Sequence, residues 1–446
     1  MEAQHMFDGK MLRRLLIPVI IEQILTSLMG TADTMMVSNV GSEAISAVSL
    51  VDSINVLLIQ VFSALAAGGA IVCSQCIGNK DIKRAKESAR QLVFIITLIS
   101  VSVTAVCLIF RYPLLHLIFG AVEPDVMEAS ETYFFYTSLS FPFIALYNAG
   151  ASVFRAQNNT RGPMTISVIS NLMNIAGNAI LIWGFDMGVA GAAIATLVSR
   201  IFCAVVVMYR LRKPDHPVTV RHYLSIRPDR KYIFRILSLG IPSGVENGMF
   251  QFGKLAIQST VSTLGTVAIA AQAMTNILEN LNGIAGIGVG IGMMTVVGQC
   301  LGAGRKDEAI YYIKKLSKIA EIIVVSTCLI VFLLARPVTW LGGMEKASAD
   351  MCVYMITWIT IVKSIVWVAG FVPAYGMRAA GDVKYSMTLS MISMWVFRVS
   401  LCIFLIRVMG FGPMAVWIGM FTDWTVRGIG FLHRFHSRKW LDHKVI

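Results

Sequence analysis

Two carboxylates, Glu22 and Asp33, lie inside the first long apolar stretch of this sequence. With Thr26 they fall at positions i, i+4 and i+11, which places all three on one face of a helix. A helix rises about 1.5 Å per residue, so the two carboxylates lie roughly 16 Å apart, too far to share one ion directly. An ionisable group at membrane depth costs at least about 2.5–3.5 kcal/mol, so each of them needs a partner or a function.

A second set of polar residues follows helical spacing inside apolar stretches of the second half. It comprises Glu246, Asn247, Gln251, Lys254, Gln272, Asn276, Glu279, Lys363 and Arg398. Lysines in the same half as Glu246 and Glu279 suggest internal ion pairs. Our hypothesis is that this set lines a polar cavity and that a Lys–Glu pair within it breaks when the glutamate is protonated. A purely structural pair is the alternative.

The elements that carry these residues are predicted to be membrane helices. The 446 residues are 56% hydrophobic and 14% charged, with a mean hydropathy of +0.70, whereas soluble domains are nearer about 25% charged. Apolar runs of about 20 residues, the length that crosses a bilayer as a helix, recur throughout. We predict an all-α integral membrane protein with spans near 14–38, 45–77, 90–110, 130–154, 163–184, 188–209, 236–262, 266–300, 316–335, 350–377, 386–408 and 412–433.

The distribution of basic residues predicts the orientation. Most of the 38 lysines and arginines fall in the loops on one side of these spans. By the positive-inside rule, that side and both chain termini are cytoplasmic, as expected for a multi-pass protein of the cell membrane. The net charge of +13 is therefore a topology signal, and we expect no nucleic-acid partner.

The sequence repeats itself with a shift of 224 residues over most of each half, and of 223 beyond one indel. The matched positions include Pro18 with Pro242, Glu22 with Glu246, Gly41 with Gly265, Cys76 with Cys300 and, at the second shift, Arg155 with Arg378. Each copy holds six predicted spans, an even number, so the copies are parallel repeats related by an axis along the membrane normal. We predict two lobes, residues 1–215 and 216–446, whose geometry favours alternating access around a central cleft.

A C-x-x-C pair, Cys73 and Cys76, suggests redox or zinc chemistry. Under the repeat register Cys73 matches Val297, so the second copy lacks the pair, and we interpret it as incidental. The sequence contains no HExxH, nucleophile elbow, P-loop or acidic metal cluster. We therefore expect neither an enzyme nor a bound cofactor, with a membrane thiol oxidoreductase as the alternative from another class.

The sequence resembles the multidrug and toxic compound extrusion (MATE) transporters over nearly its whole length. The resemblance is carried by IPVIIEQILTSLMGTADTMMVSNVGSEAISAVSL, GGAIVCSQCIGNKDIKRA, FRAQNNTRGPM, NIAGNAILIWG, GVAGAAIATLVSR and GQCLGAGRKDEA. It implies two six-helix lobes that form a V. It also implies export of organic, often cationic and amphipathic, compounds driven by inward sodium or protons.

The resemblance also implies site residues. Asp33 matches an aspartate used in cation coupling, and Asn174 and Asn178 match a polar pair whose second position is aspartate in some branches. Asp33 beside these amides would offer hard oxygen ligands suited to sodium, or Asp33 would carry a proton. Two acidic residues that some members place at a second sodium site align with Phe250 and Trp367, so that site is absent here.

The leading interpretation is a secondary exporter, acting as an antiporter and as a monomer, of small organic compounds that are cationic or amphipathic. Asp33, Asn174, Asn178 and Glu22 are the predicted cation-coupling residues, with sodium possible only at Asp33. Proton and sodium coupling remain open alternatives, as do inward- and outward-facing resting states. A flippase for a lipid-linked saccharide is the alternative within transport, because Lys254, Lys363 and Arg398 would suit an anionic lipid.

Overall fold

The computed structural model describes residues 5–120 and 122–446, and the regular secondary structure in this part of the chain is helical. The α-helices are α1 Gly9–Ser38, α2 Ser42–Gly78, α3 Ile82–Ile109, α4 Arg111–Phe119, α5 Pro124–Leu139, α6 Phe141–Ala156, α7 Arg161–Asn178, α8 Gly188–Arg212, α9 Arg230–Val261, α10 Thr266–Gly302, α11 Lys306–Leu341, α12 Lys346–Ala379, α13 Val383–Ile392, α14 Ser400–Arg407 and α15 Met414–His436. Two π-helical segments, Ala179–Gly184 and Ser393–Val399, follow α7 and join α13 to α14.

These helices account for all twelve predicted spans. Among the described residues, nine helical stretches are long and apolar enough to cross a membrane. The three remaining spans correspond to α9, to α15 and to α5 together with α6. Most helices extend several residues beyond the predicted bounds, because their polar ends continue the helix outside the apolar window.

The predicted fourth span, 130–154, is not one continuous helix. It divides at Ser140 into α5 and α6, and Pro142 lies in the first turn of α6. Proline has no amide hydrogen to donate, so it fits well in the first turn of a helix, whereas in a helix interior it removes a hydrogen bond and bends the helix. The short helix α4, which precedes this pair, was not predicted.

The chain forms two compact units that exchange half-helices: each unit contains the first half of a helix, α1 or α9, whose second half belongs to the other unit. The C-unit contains Met1–Ile20 and Val245–Ile446, and the N-unit contains Ile21–Gly244. The two boundaries lie 224 residues apart, the same shift as the repeat, and each falls just after a proline inside α1 or α9. The compact units therefore do not coincide with the predicted lobes 1–215 and 216–446. The division of the sequence into two repeats at residue 215 stays a prediction.

Small residues let the exchanged half-helices pack closely. In the N-unit, a Cβ atom at Gly68 of α2 would lie 2.7 Å from the Ile236 carbonyl oxygen and 2.8 Å from the Gly240 nitrogen of α9. In the C-unit, Gly292 of α10 lies against Leu16 of α1. Gly292 and Leu16 occupy the repeat-equivalent positions of Gly68 and Gly240, so both copies use the same contact.

One buried ion pair occurs in each unit at equivalent positions. In the N-unit, Arg155 Nη2 lies 2.8 Å from Glu22 Oε1, and the Tyr147 hydroxyl donates to the same oxygen at 2.9 Å. In the C-unit, Arg378 Nη2 lies 2.7 Å from Glu246 Oε1. Each pair ties the second half of α1 or α9 to the end of another helix of its unit.

The glycine contact predicts that Gly68→Ala destabilises the protein. The added methyl group meets the backbone of α9, and overpacking of this kind costs about 1–3 kcal/mol. We expect the apparent melting temperature of the purified protein to fall. Gly184→Ala is the matched control, because a Cβ atom there has no neighbour within 4 Å. Equal melting temperatures of the two variants would contradict the close packing.

The ion pair predicts that Glu22→Gln destabilises the N-unit by leaving the Arg155 charge without its partner, at a cost of about 3 kcal/mol. We expect the double variant Glu22→Gln/Arg155→Gln to recover part of the lost thermal stability. The exposed Glu43 supplies the control, Glu43→Gln. A double variant less stable than Glu22→Gln alone would show that the pair does not act as a unit.

Candidate functional site

The structure brings together three residues of the predicted cation site. Asn178 Nδ2 donates to Asp33 Oδ1 at 2.6 Å and to Asn174 Oδ1 at 3.0 Å. Asn174 and Asn178 are one turn apart on α7 and both are buried, whereas Asp33 on α1 is partly buried. Asn178 is the last residue of α7 before a π-helical turn, a local widening that is frequent at functional sites.

One oxygen of this group has no hydrogen-bond donor. Asn178 Oδ1 is buried and, among the described residues, finds no partner. A buried acceptor without a partner calls for an ion or a water molecule. The Asp33 carboxylate and this carbonyl oxygen are hard oxygen donors, the class of ligand that suits hard cations.

A second carboxylate lies near this group. Asp52 Oδ1 accepts a hydrogen bond from Asn55 at 3.1 Å and from the Tyr133 hydroxyl at 3.2 Å. Asp52 and Arg200 are both close enough to Asp33 to act on it electrostatically. This part of the N-unit therefore holds two carboxyl groups and one guanidinium group that interact electrostatically.

The structure does not bring Glu22 to the Asp33 group. The Glu22 carboxylate contacts Arg155 and Tyr147 instead, and Glu246 contacts Arg378 and Ser386. This geometry favours a packing role for both glutamates over cation coupling at Glu22. The cation beside Glu246 is an arginine and not the lysine suggested by the sequence.

The predicted polar stripes of α9 and α10 lie in the C-unit. Gln272 Nε2 donates to Asn276 Oδ1 at 3.2 Å, and Trp417 Nε1 of α15 donates to Gln272 Oε1 at 3.1 Å. Asn247 and Gln251 occupy the face of α9 on which Lys254 also lies, as helical spacing requires.

The predicted lysine–glutamate pair is formed by Lys363 and Glu279. Lys363 Nζ lies 2.5 Å from Glu279 Oε1 and 3.0 Å from the Glu279 carbonyl oxygen. The ammonium group also lies 4.9 Å from the ring centre of Trp367. Lys363 is 1% exposed, so the glutamate offsets the cost of burying its charge.

A third carboxylate of the C-unit was missed by sequence reasoning. Asp423 of α15 is fully buried, and its two oxygens contact Arg398 Nη2 at 2.5 Å and Arg427 Nε at 2.8 Å. Ser393 also donates to it. Asp423 and Arg427 are four residues apart in a predicted span, and this i,i+4 spacing of opposite charges was the available signal.

Three cations surround the ring of Phe250. Lys254 Nζ, Arg398 Cζ and Arg427 Cζ lie 4.9, 5.1 and 5.8 Å from its centre. Phe250 and Trp367 are the positions at which the resemblance implied acidic residues. Each instead has a cation over its ring, so this part of the C-unit is positively charged.

Comparisons with known proteins agree with this architecture. A model of the MatE family matches residues 18–180 and again residues 242–404. The chain is 26% identical over 437 residues to the uncharacterized transporter YisQ of Bacillus subtilis, covering 95% of this chain and 93% of the relative. It is 25% identical to the probable multidrug resistance protein NorM of Thermotoga maritima, covering 98% and 94% of the two chains.

Solved structures show the same fold. A MOP superfamily transporter from Pyrococcus furiosus superposes with a TM-score of 0.90 at 22% identity, covering 98% of this chain and 97% of that one. The two family matches are displaced by 224 residues, which confirms the predicted fold of twelve membrane helices in two six-helix repeats. The chain therefore belongs to the MatE family and is a multi-pass membrane transporter of the multidrug and toxic compound extrusion type.

Proposed function

We propose that this transporter is a secondary active exporter of small organic, amphipathic compounds, driven by inward movement of sodium or protons that bind at Asp33. The supporting observation is the 2.6 Å contact between Asn178 and Asp33 beside a buried carbonyl oxygen without a donor. Probable multidrug resistance proteins among the relatives support the substrate class. The Multidrug export protein MepA of Staphylococcus saprophyticus, 23% identical, supports export.

The coupling follows from the charge at Asp33. A bound cation neutralises the carboxylate and satisfies the free oxygen of Asn178, which changes what α1 and α7 can contact. A cation drives transport only if it binds one conformation more tightly than the other. Binding of the cation from outside and of substrate from inside would then alternate, as in an antiporter.

The setting proposed for this cycle is the cell membrane, with both termini cytoplasmic. The uneven distribution of basic residues supports that orientation. We propose that a monomer is the working form, because Asp33, Asn174 and Asn178 all lie within one unit of a single chain.

Two alternatives differ in their support. A flippase for a lipid-linked saccharide is favoured by Lys254, Arg398 and Arg427 around Phe250, because a diphosphate would bind there. The thiol oxidoreductase has less support, since Cys73 and Cys76 are buried free cysteines, whereas catalytic thiols are partly exposed.

Asp33→Asn tests the coupling. In proteoliposomes with separately imposed sodium and proton gradients, we expect gradient-driven efflux of ethidium or carboxyfluorescein to fall at least about tenfold, because the variant lacks the charge that attracts the cation. The gradient that drives the wild-type protein identifies the ion. Asp215→Asn, at an exposed position, is the matched control. Full gradient-driven efflux in Asp33→Asn would overturn the proposal.

Asn178→Asp tests the ligand set from the opposite direction. Two carboxylates at hydrogen-bond distance cannot both stay ionised, so the pair holds a proton at neutral pH, and we expect the ratio of proton-driven to sodium-driven efflux to rise at least about threefold. Asn79→Asp adds the same charge at an exposed helix end and serves as the control. An unchanged ratio would mean that position 178 does not contact the driving ion.

A further inference from the structure

We propose that the C-unit binds an oxyanion at the cationic cluster formed by Lys254, Arg398 and Arg427 with Asp423, next to the ring of Phe250. This inference rests on the proposed function and deepens it. The exported compound would be an amphipathic molecule with a carboxylate, sulfonate or phosphate group. The purely cationic compounds implied by the family resemblance would be repelled.

The first argument is the local charge balance. Asp423 contacts both Arg398 and Arg427, and one carboxylate cannot neutralise two guanidinium groups. Lys254 adds a third positive charge over the same ring. The cluster alone therefore carries an excess of two positive charges in a membrane-embedded region, where uncompensated charge is costly.

Neighbouring carboxylates do not remove this excess. Glu279 is close enough to Lys254 to act on it electrostatically, but its carboxylate is engaged by Lys363 at 2.5 Å. Because the Lys363–Glu279 pair is neutral, including it leaves the excess of two positive charges unchanged. Glu321 of α11 acts electrostatically on Cys328, and counting its charge as well still leaves one positive charge.

The second argument is an unused donor. Arg398 is 2% exposed, and its Nε atom, among the described residues, has no hydrogen-bond acceptor. The guanidinium group is always protonated and donates in a planar fork that matches carboxylate and phosphate oxygens. A buried donor without an acceptor, beside surplus positive charge, is the arrangement that an incoming oxyanion completes.

The third argument is access. Lys254 is exposed, whereas Arg398 and Arg427 behind it are buried. Ionisable side chains within membrane spans almost always face the bundle interior or a water-filled cavity. The exposed Lys254 is therefore the side of the cluster from which an anion would approach, and the partly buried ring of Phe250 offers an apolar surface beside the charge. An amphipathic anion fits both features.

Dye binding to the full chain in phosphatidylcholine nanodiscs, without any ion gradient, tests this site. We expect carboxyfluorescein, an anionic dye, to bind more tightly than ethidium, a cationic dye of similar size. Lys254→Gln should weaken carboxyfluorescein binding about tenfold, and Lys254→Glu should reverse the preference between the dyes. Lys254→Arg should retain the preference for carboxyfluorescein. Lys384→Gln, at an exposed position, is the matched control.

The reversal is the decisive result, because a variant that merely damages the structure would weaken both dyes. The proposal is overturned if Lys254→Glu leaves the ratio of the two affinities unchanged, or if neither dye binds the wild-type protein. Since no gradient is present, charge-selective binding stands even if gradient-driven efflux is absent. Conversely, if ethidium is exported but dye binding is not charge-selective, the proposal of an anion site is overturned and the proposal of an exporter stands.

A second arm separates a soluble anion from a lipid headgroup. The same titration is made in nanodiscs that contain phosphatidylglycerol. Competition that weakens dye binding in the wild-type protein, and not in Lys254→Gln, identifies the lipid phosphate as an occupant of the site. Equal dye affinity in the two lipids assigns the site to soluble amphipathic anions.

Discussion

The cost of placing charge inside a membrane governs the interior of both units. Glu22 and Arg155 in the N-unit, and Glu246 and Arg378 in the C-unit, meet this constraint in the same way, each as a buried pair at hydrogen-bond distance. These pairs fix the second halves of α1 and α9 within their units. Because these charges are compensated, we propose function for the residues whose charges are not balanced.

The imbalance has opposite sign in the two units. In the N-unit, Asp33 and Asp52 face one guanidinium, that of Arg200. In the C-unit, Asp423 faces two arginines, and Lys254 adds a further cation. A duplicated chain has thus kept one architecture while its copies diverged in electrostatics. We propose that one unit binds a cation and the other an anion.

Much of this fold is predictable from the sequence, because the length and hydropathy of an apolar stretch identify a membrane helix. The repeat register also aligned Glu22 with Glu246 and Arg155 with Arg378, although it did not show that these residues pair across helices. The break at Ser140 was missed because hydropathy averages over it, even though Pro142 was visible. Apolar windows carry no information on local hydrogen bonding.

Only part of the candidate site was predicted from the sequence, for a related reason. Asp33, Asn174 and Asn178 were grouped through the family resemblance, and the structure places them within hydrogen-bond distance. Asp423 was missed although Arg427 lies four residues later in the same helix, and its other partner, Arg398, lies 25 residues earlier in the sequence. Contacts between distant helices depend on how the helices rotate, which spacing within one helix cannot reveal.

The exchanged half-helices have a consequence for each repeat taken alone. A single repeat would carry a half-helix that packs in the other unit, and would lack the half-helix that lies against its own glycine. Separation of the two repeats would therefore leave both compact units incomplete.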